Sequence, residues 1–199
     1  MVHQTTQSWP RSSEQNIRFD KFDGSSWPTP AELEPYFLAP KGKEWFYDHG
    51  NDSAILSIYG LEGTENLTPY KERIDLHLLL WGNPEHGVFL FYQKYGGGFS
   101  EAYCSKGDMS RIREWVRTLH ADARPVGLYI PFAEAWKAVK EFIETDGELP
   151  KSIEWIANKD LPDNTFPAPH EIVLPGEQPV HYLSKEEAAA AIALGQGKR

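Results

Sequence analysis

The sequence predicts an α+β fold: a mainly antiparallel sheet packed by one principal C-terminal helix, with an additional helix and a C-terminal extension. Three observations point to it. Residues 73–81 place Ile74, Leu76, Leu78 and Leu80 on one face and Asp75 and His77 on the other, the period of a strand with one buried side. Residues 88–95 and 99–105 follow after short turns at 83–87 and at Gly96-Gly97-Gly98, which makes an antiparallel meander. Then Phe132, Ala135, Trp136, Val139, Phe142 and Ile143 recur at close to the helical spacing, predicting an amphipathic helix over 132–145.

Along the chain, residues 1–16 are polar and without period, and read as a loose N-terminal arm. Residues 17–157 carry the single domain. Thr29 is placed as an N-cap, with Pro30 at the first helical position and Glu32 completing a capping box. Pro35 is expected to interrupt that helix early. Residues 44–48 and 53–59 flank the turn-rich 49–52 and suggest a hairpin. Asp108 is a candidate cap for a helix over 109–119, whose Met109, Ile112, Trp115, Val116 and Leu119 share one face. A strand is expected at 126–130. Gly147 suits the C′ position that ends the principal helix, and Ile153, Trp155 and Ile156 suit a closing strand. Residues 158–199 are a Pro-rich extension. It offers edge strands at 172–174 and 180–183, then an Ala-rich helix opened by Ser184 and Glu187 and closed at Gly195.

Composition narrows the function. The chain has 199 residues, 40% hydrophobic and 25% charged, in the range of an ordinary globular domain. Its net charge of −9 argues against nonspecific nucleic-acid binding, which needs a basic footprint. The single cysteine, Cys104, cannot form an internal disulfide, so a reducing compartment is expected. No apolar run approaches the roughly 20 residues of a membrane span. The N-terminus lacks an apolar signal core, so a cytoplasmic location is expected.

Chemistry-bearing motifs are sparse. The seven histidines show no metal-ligand spacing, and no metal or other cofactor is expected. His77, on the polar face of its strand, reads as a surface or partner-facing residue; His170 and His181 read as solvated loop residues. Cys104 would need a neighbouring base or cation to be nucleophilic, and Lys106 is the nearest cation in sequence. Gly96-Gly97-Gly98 lacks the Lys-Ser/Thr and helix of a phosphate loop. Glu141 and Glu144 share a helix face with Lys137 and Lys140 nearby, which reads as a solvated mixed-sign surface. Acidic residues collect at Glu62, Glu65, Glu72 and Asp75; with His77, Glu101 and Asp108 they form a candidate docking set for a basic partner. The consecutive Trp45, Phe46 and Tyr47, and the excess of Phe89, Phe91, Tyr92 and Tyr95, cannot all face one side of a sheet.

Tyr103-Cys104-Ser105-Lys106-Gly107-Asp108 resembles a Tyr-x-Ser-x-Gly-Asp element. It is followed by Ile130-Pro131, Ala135, Trp136, Val139, Glu141-Phe142, Thr145, Gly147, Pro150, Ile153 and Trp155. That order is similar to the immunity protein 1 family of bacterial polymorphic toxin systems, an α+β family. The chain departs from the usual pattern in the 108–119 insertion and in the extension after Asn158. The resemblance implies a noncatalytic inhibitor that binds a cognate toxin domain, of the nuclease or nucleic-acid deaminase class, and acts by stoichiometric occlusion. It carries no catalytic residues, and Tyr103, Ser105, Gly107, Pro131, Trp136, Phe142, Gly147, Pro150 and Trp155 are its structural motif. The alternatives are an enzyme using Cys104 or a carboxylate pair, and a small-molecule-binding α+β module.

Overall fold

A computed structural model describes residues 14–39 and 52–177. It divides after Phe166 into a main unit and a second unit that begins at Pro167. The fold of the main unit is α+β. Its strands are β1 (Glu14–Phe19), β2 (Phe22–Gly24), β3 (Ser53–Tyr59), β4 (Asp75–Asn83), β5 (Gly87–Gly96) and β6 (Phe99–Ser105), then β7 (Trp115–Arg117), β8 (Ala123–Pro125), β9 (Tyr129–Ile130) and β10 (Trp155–Ala157). Its helices are α1 (Pro30–Leu38) and α2 (Phe132–Glu144). An antiparallel sheet runs in the order β10-β6-β5-β4-β3-β1-β2, with β9 on the first residues of β5, and β7 and β8 form a separate pair.

The alternation read from the sequence sets one sheet face. Leu76, Leu78 and Leu80 lie opposite Ile58, Leu56 and Ala54, and Leu90 and Tyr92 extend the row on β5. Helices α1 and α2 cover this face, and Leu33, Phe37, Ala135, Trp136, Ala138, Val139 and Phe142 complete one core. Each large side chain buried there contributes roughly 1.5–3 kcal/mol before entropy is subtracted. Phe142 is central, with Trp27 at 5.0 Å and Tyr92 at 6.2 Å between ring centroids.

Helix α1 begins as expected: the Thr29 backbone N–H and hydroxyl both donate to the Glu32 carboxylate, at 2.8 and 2.7 Å. Pro35 does not interrupt it. The bond Pro35 cannot donate would go to the carbonyl of Ala31, and both residues are exposed, so water can satisfy that group. Leu33 and Phe37, one turn apart and buried, hold the helix to Leu38. Helix α2 ends in a Schellman motif. The Gly147 N–H donates to the Phe142 carbonyl at 2.8 Å and the Asp146 N–H to Ile143 at 3.3 Å. Gly147 (φ +95°) is therefore one residue further out than expected, and Asp146 (φ +54°) takes the left-handed C′ position.

The second sheet face corrects two expectations. Residues 109–119 are not a helix. Asp108 does cap, accepting from the Ser110 N–H at 3.0 Å, but the helix it opens is a single 3₁₀ turn, Met109–Arg111. The chain then extends into β7, where Trp115 and the β-branched Val116 favour a strand, and turns back at Ala121 into β8. Met109, Ile112 and Val116 still point inward, onto Phe89, Cys104, Leu128 and Tyr129. Residues 126–130 are likewise a 3₁₀ turn, Val126–Leu128, and then the two-residue β9. Gly127 allows this because its α-carbon lies against the 108–112 backbone; a β-carbon there would sit 2.8 Å from the Asp108 carbonyl oxygen. Aromatics thus fill both faces, which answers the excess noted on β5.

Residues 14–16, expected in the loose arm, are the first three of β1, because Ile17 and Phe19 alternate inward and bring the strand with them. The expected strand at 44–48, the aromatic run Trp45-Phe46-Tyr47, the strand at 180–183 and the Ala-rich helix lie outside the described residues. In the second unit, residues 172–174 are not a strand. Carboxylates instead close two short turns: Ala168 N–H donates to Glu171 at 2.6 Å and Leu174 N–H to Glu177 at 2.9 Å.

The motif residues tie these layers together. The Ser105 hydroxyl donates to the Leu128 carbonyl at 2.7 Å and accepts from the Leu90 N–H at 2.9 Å. Trp155 Nε1 donates to the Pro150 carbonyl at 2.7 Å, and the Glu141 carboxylate accepts from the Lys151 and Ser152 N–H groups, both at 2.9 Å. Gly107 donates to the Gly127 carbonyl at 3.0 Å, and a β-carbon on it would lie 2.2 Å from the Tyr129 carbonyl oxygen. Gly107→Ala is therefore expected to destabilise the fold by roughly 1–3 kcal/mol, the usual range for overpacking. Urea unfolding measures this, and a variant as stable as the parent would mean that the contact is looser than described.

Candidate partner-binding surface

Residues 60–74 link β3 to β4 at one end of the sheet, and elementary bonding fixes their path. The Gly60 N–H donates to Asp75 Oδ1 at 2.8 Å. The Leu61 N–H donates to the Ile74 carbonyl at 2.8 Å. Thr64 Oγ1 donates to the Leu61 carbonyl at 2.6 Å and accepts from the Ile74 N–H at 3.0 Å. Thr68, buried, donates to the Glu72 carbonyl at 2.7 Å. Arg73 reaches the Glu65 carboxylate at 2.6 Å. The β5–β6 hairpin tip closes on this loop: a β-carbon on Gly97 (φ +53°) would lie 2.6 Å from Thr68 Cβ, and one on Gly98 3.4 Å from the Tyr70 ring.

The tethered loop carries large apolar side chains on its outside. Tyr70 is 74% exposed and Leu67 62%. At the same sheet end Tyr59 and Tyr95, the outer residues of their strands, are 41% and 38% exposed. Around them lie the expected acidic residues. Glu62 and Glu72 are exposed, and Glu65 is partly buried, its carboxyl held below the usual range by its own backbone N–H and then by Arg73. Residues 61–75 hold four carboxylates against Lys71 and Arg73. Exposed apolar side chains and carboxylates thus share one hydrogen-bonded loop and the sheet end beside it, which makes this surface the candidate site.

His77 is a correction to its expected surface role. It is 5% exposed, because the strand face on which it lies is covered at that point by rings. Its Nδ1 is 2.7 Å from the Ser57 hydroxyl and its Nε2 3.0 Å from the Tyr95 hydroxyl. The Tyr95 ring stacks on it at 5.1 Å and Tyr59 meets it edge-on at 5.5 Å. His77 therefore braces the two exposed tyrosines from below. Ser57, also buried, is inaccessible to a substrate.

The structure brings Glu62, Glu65, Glu72, Asp75 and His77 together and leaves two expected residues apart. Glu101 lies on the helix side of β6 and accepts from the Tyr103 hydroxyl at 2.6 Å. Asp108 lies beyond the opposite end of β6, occupied in its cap. Tyr95 belongs to the aromatic excess read from the sequence, whereas Leu67, Tyr70 and Tyr59 are exposed apolar residues that no sequence pattern singles out. The available signal was that Leu67 and Tyr70 fall in a stretch without apolar period, where no pattern buries them.

The residues weighed for catalysis are engaged elsewhere. Cys104 is fully buried and its thiol is pushed up to about 12 by that burial, far from the thiolate that chemistry requires. Glu141 caps the 150–152 turn, and Glu144 lies 3.7 Å from Lys140. Among the described residues no three His, Cys, Asp or Glu side chains converge to hold a metal ion, and no helix is long and apolar enough to cross a membrane. No protein-family model, no curated protein and no solved structure matches the chain.

Burial holds the His77 imidazole below the usual histidine range, while Asp75 pulls weakly the other way. The folded state thus favours the neutral ring. As pH falls through about 6.5, the unfolded chain takes up a proton that the folded chain resists, so stability is lost on the acid side. One such group contributes a slope of at most about 1.4 kcal/mol per pH unit. His77→Asn is expected to show a smaller drop in urea midpoint between neutral and mildly acidic buffer than the parent. Equal drops would remove His77 as the source.

Proposed function

We propose that this protein is a noncatalytic inhibitor that binds and neutralises a cognate bacterial toxin domain by stoichiometric occlusion. The observation that carries the reading is the fixed 60–74 loop, with exposed Leu67 and Tyr70 beside Tyr59 and Tyr95 and with Glu62, Glu65 and Glu72 around them. The likeness of the Tyr103–Trp155 motif to immunity protein 1 points the same way and supplies the partner's class, a nuclease or nucleic-acid deaminase. Such enzymes bind a polyanion, so a surface rich in carboxylates competes for the same cationic groove. The buried thiol of Cys104 and the structural engagement of Glu141 weigh against the enzyme alternative. The proposed site of action is the cytoplasm, where the inhibitor would protect the producing cell.

The test is production of the chain together with the toxin encoded beside it. A stable complex and protection from toxicity are expected, without turnover. Tyr70→Ala or Leu67→Ala should weaken binding by about 2 kcal/mol, roughly 30-fold, if either is an anchor. Glu72→Lys should mainly slow association, with the difference fading at high salt. A harmless neighbouring product, or binding indifferent to both anchor substitutions, overturns the assignment.

A further inference from the structure

Among the described residues, strand β6 is a sheet edge over half its length. Its residues Tyr103, Cys104 and Ser105 pair with β10, whereas 99–102 pair with β5 alone. The Lys106 N–H donates to the Glu154 carbonyl at 3.0 Å, so the even-numbered residues of β6 turn their backbone groups toward the β10 side. By alternation, Ser100 and Ala102 do the same, and no described strand runs beside them. A cleft of about 370 Å³ lies along this edge, with 99–103 on one side and Ala157, Asn158 and Lys159 on the other.

The edge is short and the 3₁₀ turn Asn158–Asp160 lies against β6, but two of the usual protections are absent. Its pairing with β5 is one-to-one from Gly96↔Phe99 to Phe91↔Cys104, without a bulge, and it contains no proline. Ser100 and Ala102 are small, leaving room on their face for a neighbour's side chains. Glu101 lies on the opposite face, directly across from Lys94. A second copy of this chain is a poor occupant. Antiparallel self-pairing centred on Glu101 would set two carboxylates against each other, between chains of net charge −9.

We infer that the 99–102 edge of β6 receives an extended segment of another protein as an added strand, with a basic side chain facing Glu101. Backbone groups would give affinity, and alternate side chains would give selectivity. The inference rests on the inhibitor reading only for the partner's being a toxin. It adds that the toxin offers a strand beside the anchor patch.

The test needs no toxin. The full chain is used to select from a displayed library of random peptides roughly a strand long. Enriched peptides are expected to alternate in polarity, to carry Lys or Arg at one fixed position, and to slow amide exchange at Ser100 and Ala102. Ala102→Pro, at an edge position that tolerates proline, should weaken them about ten-fold or more. Glu101→Lys should shift selection to acidic peptides, a readout that stands even if the proline variant fails to fold. No enrichment, or peptides that protect 60–74 and leave Ser100 and Ala102 unchanged, overturns the inference. Toxin binding without strand-adding peptides would refute this edge alone, and the converse would refute the inhibitor reading alone.

Discussion

The fold depends on one demand: both faces of β5 must be covered. Val88, Leu90 and Tyr92 point to one side, Phe89 and Phe91 to the other, and a sheet of this kind cannot leave either row in water without losing its main driving force. The helices supply one cover. The irregular 109–130 segment and the residues after β10 supply the second. Where the outer partner of β5 changes from β6 to β9, a single hydroxyl makes the join. Ser105 takes the Leu90 N–H and hands its own proton to Leu128, so a buried backbone donor is satisfied at the break.

This explains why the recognisable residues are structural. Ser105, Gly107, Gly127 and Tyr129 form one seam between the meander and its second cover. Pro131 then starts α2 directly from that seam, and Gly147 and Pro150 return the chain to the far edge of the sheet. Ser105, Gly107 and Gly127 are spent on bonds and close contacts within the chain. The patch at the other end of the sheet uses a different economy: hydroxyls and carboxylates satisfy the loop backbone, and large side chains are left outside.

The regular parts were legible because each carries a strong local period. Residues 132–145, the β4 alternation, the β5–β6 turn and the Thr29–Glu32 cap could be read from neighbouring residues alone. The 109–119 stretch differs from its expected helix because one apolar spacing serves two conformations. Met109 and Ile112 suit a helix face, yet the same residues point inward from a single turn followed by a strand. Burial of His77 could not be read locally either. Its partners Ser57 and Tyr95 lie on the two flanking strands, and a polar residue on an alternating strand looks solvated until those strands are placed. Among the acidic residues, Glu62, Glu65, Glu72 and Asp75 were visible as a group because they are close in sequence. Glu101 and Asp108 joined them only by charge, and geometry separates them.

The order of strands also has a kinetic side. Strands β4, β5 and β6 are joined by short turns and can pair as soon as the chain collapses. Strand β10 reaches β6 only after β7, β8 and the whole of α2 have been laid down, and it holds on through three residue pairs. Late, short and peripheral pairing of this kind belongs to the low-energy end of local opening. Fraying of β10 would uncover more of β6 and would give up the contacts of Trp155 and Ile156 with the two cores, so the length of edge on offer is itself an equilibrium quantity set against that packing.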